Sequence, residues 1–420
     1  MTQRGEPIGL TAVIGIPDPA FALSAWLDHL CAALTVHAGS LQIILVTPLG
    51  AQRIERIANL CTIEWLQVAR ISHVALARIA CEHAIYPFIV TYIVSNRFLL
   101  NTANLKTLWY NQSCADLLVL RRFANRSLGS VGLLSRLLSR ILSLPVRDVF
   151  SPCRLYRRDM LMALRSRLPL DDSLADELEL LLHIAAEGYR MREIDVKDWM
   201  PAYAANGQPP RLDLRRLVSL WRLRNSILSA DYDDRAYDSI IPLQRYWQRQ
   251  RFRLIQELIA GEGAVLDIGC GSSRILSVLP EGSIGMDILF RKLRYARRFT
   301  TTLVQASGDR IPVADAAFPC VLCSQVIEHV PKQSPILDEL CRVLRPGGRL
   351  VIGTPDYARW EWRLIERLYA ALAPGGYADE HIAHYSRQEL LDFFASRSFV
   401  HEATRYILNG ELIMAFRKNK

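Results

Sequence analysis

From Leu10 onward, short apolar runs alternate with longer mixed segments. LTAVIGI (10–16), LQIILV (41–46) and PFIVTYIV (87–94) are apolar and rich in β-branched residues, which predicts buried strands; 21–38 and 102–112 carry apolar positions at helical spacing. Units of this kind build a parallel α/β sheet. The stretch Ser229–Arg253 is polar and aromatic and contains no buried strand, so the division between two domains, 1–229 and 230–420, is placed there. Strand and helix patterns restart at Ala264 and continue to the C-terminus. The expected fold class is α/β, one sheet in each domain.

A length of 420 residues agrees with two domains, and 50% hydrophobic with 22% charged residues excludes wholesale disorder. The longest apolar stretch, Ile85–Val94, is half a bilayer span and is broken by Pro87 and Thr91, so no transmembrane helix is expected. The N-terminus has no continuous apolar region of the signal-peptide kind. Nine cysteines, spread singly apart from Cys320 and Cys323, suit a reducing compartment, and that pair reads as buried thiols in a strand. A cytoplasmic location follows.

The net charge of +9 is concentrated. Between Arg121 and Arg167 stand eleven arginines against Asp148 and Asp159, a local balance of 11 − 2 = +9. Inside this window Leu133, Leu134, Leu137, Leu138 and Ile141 form a helical stripe with Arg136 and Arg140 beside it. Such a helix either packs into a core with snorkelling arginines or lies on an anionic membrane surface. The second option would place the chain peripherally on the inner face of a membrane.

In the second half, AVLDIGCGSSRILSVL reads as a buried strand ending at Asp267, then Gly269, Cys270 and Gly271, then a helix. Glycines at such a turn let the backbone approach a ligand closely. Asp287 ends a second strand twenty residues on, a spacing suited to accepting hydrogen bonds from ribose hydroxyls. Asp309 and Arg310 follow a third run, a fourth strand ends at Ser324 and Gln325, and LRPGGRLVIGTPD supplies a turn and a fifth.

This ordered set resembles the class I S-adenosylmethionine-dependent methyltransferases from about Ala230 to the C-terminus. The resemblance implies a Rossmann-like fold with S-adenosylmethionine as cofactor. Gly269 and Gly271 would line its methionine end, Asp267 steer its amino group and Asp287 hold the ribose. Asp309 would meet the adenine amino group, while Ser324 and Gln325 close the site beneath the sulfonium. Ser273 stands where many members have a third glycine, and Pro319 where Asp is usual. A hydroxyl acceptor also wants a base, for which Glu328, His329, His381 and His384 are candidates. Some relatives hold a divalent cation with E-x-x-E-H; here Gln325 occupies the first position, and no metal is assigned.

In the first half, RDVFSPCRLYRRDM and the following GYRMREIDV resemble family 2 glycosyltransferases of the polyprenyl-phosphate mannose synthase type. The matching positions are Asp148, Ser151, Arg154, Tyr156, Arg157, Glu177 to Glu179, Gly188, Tyr189, Glu193 and Val196. A GT-A-like, Rossmann-like fold is implied. The acids such enzymes use to hold a nucleotide sugar through a metal have no counterpart: Val46-Thr47-Pro48 and Val94-Ser95-Asn96 occupy their places. Asp148, Arg154 and Arg157 are instead expected to bind an acceptor or its phosphate.

The combined expectation is an O-methyltransferase for a glycan or polyprenyl-linked sugar, with the first domain docking the acceptor. The alternatives are a bifunctional glycosyltransferase and methyltransferase, or a non-catalytic protein binding the cofactor, lipid or nucleic acid. A missing NPPY-type turn counts against nucleic acid, and a homodimer stays open.

Overall fold

The computed structural model describes residues 9–17, 40–49, 62–94, 102–121, 130–169, 174–195, 214–226, 228–300, 302–372 and 381–420. The helix expected over 21–38 lies outside them, as do Ser95, Asn96 and Val196. Two compact units divide the chain: Met1–Ala185 with Tyr189–Arg224, and Ala186–Gly188 with Asn225–Lys420.

The first unit is built on one seven-stranded sheet, β1 (Leu10–Gly15), β2 (Leu41–Pro48), β3 (Thr62–Val68), β4 (Phe88–Ile93), β5 (Leu117–Arg121), β6 (Cys153–Arg157) and β7 (Met191–Asp195). Their order is β3-β2-β1-β4-β6-β5-β7. The sheet is not wholly parallel as expected, because β6 runs against both β4 and β5. The segment containing the helix Ser130–Ile141 returns the chain to the sheet at the end where β5 leaves it. Period-two alternation puts Val13, Ile44 and Val46 on one face and Ala12, Ile14 and Ile43 on the other, and both faces are covered. That is why the strands read as continuous apolar runs.

The leucine stripe of Ser130–Ile141 is split. Leu138 is buried, but Leu133 and Leu137 are 58% and 55% exposed, and the inward face is completed by Ser135 and Ser139. Those hydroxyls are satisfied by the next segment: Ser135 Oγ donates to the Arg147 carbonyl and accepts from the Val149 N–H, and Ser139 Oγ donates to the Leu144 carbonyl. Buried hydroxyls with partners cost little, so the serine face can turn inward.

The second unit carries β8 (Val265–Ile268), β9 (Ile284–Asp287), β10 (Leu303–Gln305), β11 (Phe318–Ser324), β12 (Leu344–Pro355), β13 (Phe399–Ile407) and β14 (Glu411–Lys418). The order is β10-β9-β8-β11-β12-β14-β13, parallel through β12 and closed by antiparallel β14 and β13. The chain fills the sheet outward from β8 and then resumes on its other side at β11. The carboxyl ends of β8 and β11 therefore flank a topological switch point, where open α/β sheets bind ligands. Cys320 and Cys323 are buried within β11. The polar stretch 229–253 is no linker. It supplies the helix Tyr232–Tyr237 and most of Pro242–Ile259, both packed into this unit. Among the described residues no helix is long and apolar enough to cross a membrane.

Candidate active site

β8 delivers Asp267 and the glycine turn to the switch point. Gly269 and Gly271 have φ of 69° and 54°. A Cβ at Gly269 would lie 2.2 Å from Val326 Cγ2, and one at Gly271 2.5 Å from Asp233 Oδ2. Both glycines are required by conformation and by space. The helix expected after them is only the 3-10 turn Arg274–Ser277, capped by Ser273.

A cavity of about 620 Å³ opens over this turn. Its wall includes Asp267, Gly269, Cys270 and Gly271 from the first strand and turn, Asp287 from the second, Asp309 beyond the third, and Ser324, Gln325 and His329 beyond the fourth. Asp287 accepts from the Gly271 N–H at 2.9 Å and the Leu289 N–H at 2.7 Å, so it also fixes the glycine loop. Asp309 is exposed at the rim, where Ser334 donates to it. Arg310 does not join them: it is exposed and outside the cavity wall.

Three buried polar atoms at the cavity are without hydrogen-bond partners: Asp267 Oδ2, Ser324 Oγ and Gln325 Nε2. Burial, reinforced by Asp287 and Asp233, pushes the Asp267 carboxyl up to about 8. A buried carboxylate in this state calls for a cation. Gln325 holds a left-handed backbone (φ 60°) while its N–H donates to the Gly353 carbonyl, a conformation typical of functional turns.

Two residues of this site were not singled out in the sequence. Asp233 accepts from the Ser272 N–H and hydroxyl and from Lys292, each at 3.1 Å, clamping the loop from the far side. Burial opposes ionisation of Asp233, yet Lys292 and Ser272 hold it below the ordinary carboxylate range. The neighbouring Asp234 takes hydrogen bonds from Arg274 and Tyr295. A polar, strandless sequence gave no sign that its acids close on a loop forty residues away.

Beside the large cavity is an apolar pocket lined by Trp247, Trp362, Leu243 and Ile365, together with Gln244, Glu366 and His381. Gln248, Arg251 and Gln325 belong to both walls. Arg251 and the fully buried Glu411 form a two-pronged ion pair at 2.6 and 2.7 Å, and Trp247 donates to the same carboxylate.

Of the four proposed catalytic groups, His329 faces the cofactor cavity and His381 the apolar pocket. Their rings lie 5.1 Å apart. Tyr357 Oη is 2.6 Å from His381 Nδ1, and Tyr357 stacks on His384 at 4.0 Å; His384 is exposed and lines neither space. Burial, with His329 and His384 nearby, lowers His381 to about 4, so it is neutral at pH 7. Glu328 and His329 lie on a 3-10 turn, and Glu328 is wholly buried, bonded by Thr354 and pushed up to about 8 by desolvation. It lines neither space. Glu328, His329 and His381 offer donor atoms within 4.8 Å of one another, a set that could hold a metal ion where the sequence assigned none.

Of the three residues proposed for phosphate binding in the first unit, Arg154 and Asp148 are buried and only Arg157 is exposed. Arg154 is fully buried, pairs with Glu177 at 3.1 Å and donates to the Val149 carbonyl. It has no access to a ligand phosphate, because the motif's arginine is spent on a core ion pair. Asp148 is buried too, while Arg157 is exposed and paired with Asp159 at 3.3 Å.

Residues 266–352 match the family model described as a methyltransferase domain. The C-terminal part of the chain carries a class I methyltransferase domain. Its cofactor is S-adenosylmethionine. Over 189 residues this chain is 29% identical to an uncharacterized methyltransferase of Mycobacteroides abscessus, covering 42% of this chain and 65% of that protein. Over 115 residues it is 29% identical to a ubiquinone biosynthesis O-methyltransferase of Xylella fastidiosa, 25% of this chain and 47% of the relative. The chain spans less than two thirds of the length of these curated relatives. A SAM-dependent methyltransferase structure from Thermotoga maritima aligns at 20% identity and TM-score 0.35, over 45% of this chain and all of that one. The residues present fit such a cofactor: the unpartnered buried oxygen of Asp267 would suit a cationic amino group, Asp287 in the same wall would suit hydroxyl donors, and the glycine turn leaves room for a ligand against its backbone.

Proposed function

We propose that this chain transfers a methyl group from S-adenosylmethionine to a hydroxyl on a ring, in a glycan or polyprenyl-linked sugar. The observation that carries the reading is the junction of the two spaces at Gln248, Arg251 and Gln325, with His329 on one side and neutral His381 on the other. The bound cofactor supplies a methyl carbon already activated by the sulfonium. What the protein must add is alignment of the acceptor and a place for its proton. Trp247 and Trp362 meet edge to face, 65° apart, as an apolar corner, and Gln244, Glu366 and His381 add polar groups to the same lining, an arrangement suited to a ring that bears hydroxyls. His329 is the group to accept the hydroxyl proton, and Tyr357 orients His381 beside it.

The sugar assignment draws on the first unit, whose seven-stranded α/β sheet and retained motif suit a glycosyltransferase-like domain of GT-A type that docks the acceptor. With Arg154 in the core, docking there would use exposed groups such as Arg157. A phenolic acceptor is the competing chemistry, since the Xylella relative is named for ubiquinone biosynthesis.

Labelled cofactor incubated with lipid-linked glycans, a phenolic quinone precursor and total RNA separates these readings. Label in the glycan fraction is expected. Label only in the phenol would overturn the sugar while keeping O-methylation, and label only in RNA would overturn both.

A further inference from the structure

We infer that the first unit binds an anionic lipid surface through the outer faces of two neighbouring helices, Ser130–Ile141 and Leu214–Arg224. On the first, Leu133, Arg136, Leu137 and Arg140 follow at i, i+3, i+4 and i+7, and all four are exposed. On the second, Leu214, Val218 and Arg222 follow at i, i+4 and i+8 and are exposed as well, Leu214 at 73%. The helices are tied together: Leu138 and Leu220 share one core cluster, and the buried Arg224 donates to the Leu142 and Ser143 carbonyls at the end of the first helix. Both helices therefore lie in the layer on one face of the sheet, joined at their C-terminal ends, with their outward faces turned away from it.

The first helix keeps Leu134 and Leu138 against the core and turns Leu133 and Leu137 out. Its buried serines are hydrogen-bonded by the segment after it, so the orientation is held by specific contacts. Neither helix contains an acidic residue, and Arg136, Arg140 and Arg222 meet no acid among the described residues. Exposed leucines interleaved with unpaired arginines suit the boundary between acyl chains and anionic headgroups.

Two other occupants fit less well. A second copy meeting this face about a two-fold axis would bring arginines against arginines. A nucleic acid would use the arginines but leave the leucines in water.

The test uses the full chain, sedimented with vesicles of phosphatidylcholine alone or mixed with phosphatidylglycerol, at low and high salt. Binding to the anionic vesicles only, weakened by salt, is expected. Arg136→Gln with Arg140→Gln should weaken it about thirtyfold, five- to sixfold for each arginine. Leu133→Ser with Leu137→Ser should weaken it at both salt concentrations. These side chains are exposed and line neither cavity, so cofactor binding and the thermal midpoint should stay at wild-type values, a control for folding. Full recovery in the supernatant with every vesicle would overturn the inference, as would undiminished binding by both double variants. Loss of a dimer in the leucine variant, or retention of RNA without retention of vesicles, would assign the face to a second copy or to nucleic acid instead. The readout is binding alone, so it stands or fails independently of the methyl acceptor.

Discussion

Ionisation of Asp267 should be coupled to cofactor binding in a way that calorimetry can count. Its carboxyl is raised from an ordinary 3.8 to about 8 by burial, with Asp287 and Asp233 adding repulsion. At pH 7 about nine in ten unliganded molecules would hold it protonated, and ionising it costs about 1.4 kcal/mol, one pKa unit. If Asp267 meets the cofactor's ammonium group, that group pairs with the ionised form. Binding at pH 7 should therefore release most of one proton, and affinity should rise with pH at a slope that is near tenfold per pH unit only below pH 7 and flattens toward pH 8. There the ligand's own amino group is losing its proton, so the net proton count should pass through zero near pH 8.

The sign for stability is opposite. A carboxyl raised in the folded state holds a proton that the unfolded chain has already lost between pH 4 and 8, so the unliganded domain loses stability as pH rises through that window. Four units set an upper bound of about 5 kcal/mol. Asp267→Asn should remove this dependence, stabilising the unliganded protein at pH 8 while weakening cofactor binding by about 1.5 to 3 kcal/mol through loss of a charge-assisted pair. The assays are isothermal titration in buffers of different ionisation enthalpy and thermal unfolding against pH. Zero proton release at pH 7, with full affinity in the asparagine variant, would refute the assignment of Asp267 to the ammonium group.

Asp233→Asn should weaken cofactor binding by about 1 to 3 kcal/mol, because Lys292 loses its buried partner and the glycine loop loses its clamp; Lys292→Met should lower affinity as well, and titration of both variants checks this. His329→Ala should abolish most methyl transfer while leaving the cofactor Kd within about twofold, a reduction of 10²- to 10⁴-fold if it takes the acceptor proton. Measuring turnover and binding on the same preparation distinguishes that from collapse of the site. Glu411→Gln should destabilise the second unit by about 3 kcal/mol, since Arg251 would be left beside Trp247 without its carboxylate, and denaturant unfolding reads the loss.

Local signals carried the frame of the methyltransferase domain. Asp267, Asp287 and Ser324 sit at strand ends because apolar runs stop there, and Gly269 and Gly271 are legible because only glycine adopts that turn at that closeness. Such features depend on neighbours in the chain, and patterning records them faithfully. Side-chain direction does not follow from pattern in the same way. The leucine stripe of Ser130–Ile141 has the same spacing whether it faces in or out, and two hydrogen-bonded serines decided the matter. Arg154 stands in a motif that resembles a ligand site, yet its reach to Glu177, twenty-three residues on, turns it into a core pair. Asp233 and Trp247 looked like parts of a polar joint; folding placed one under the glycine loop and the other in the wall of the apolar pocket. In each case the partner is distant in sequence, and the energy of burying a charge or a hydroxyl depends on finding it, so only the tertiary structure could decide.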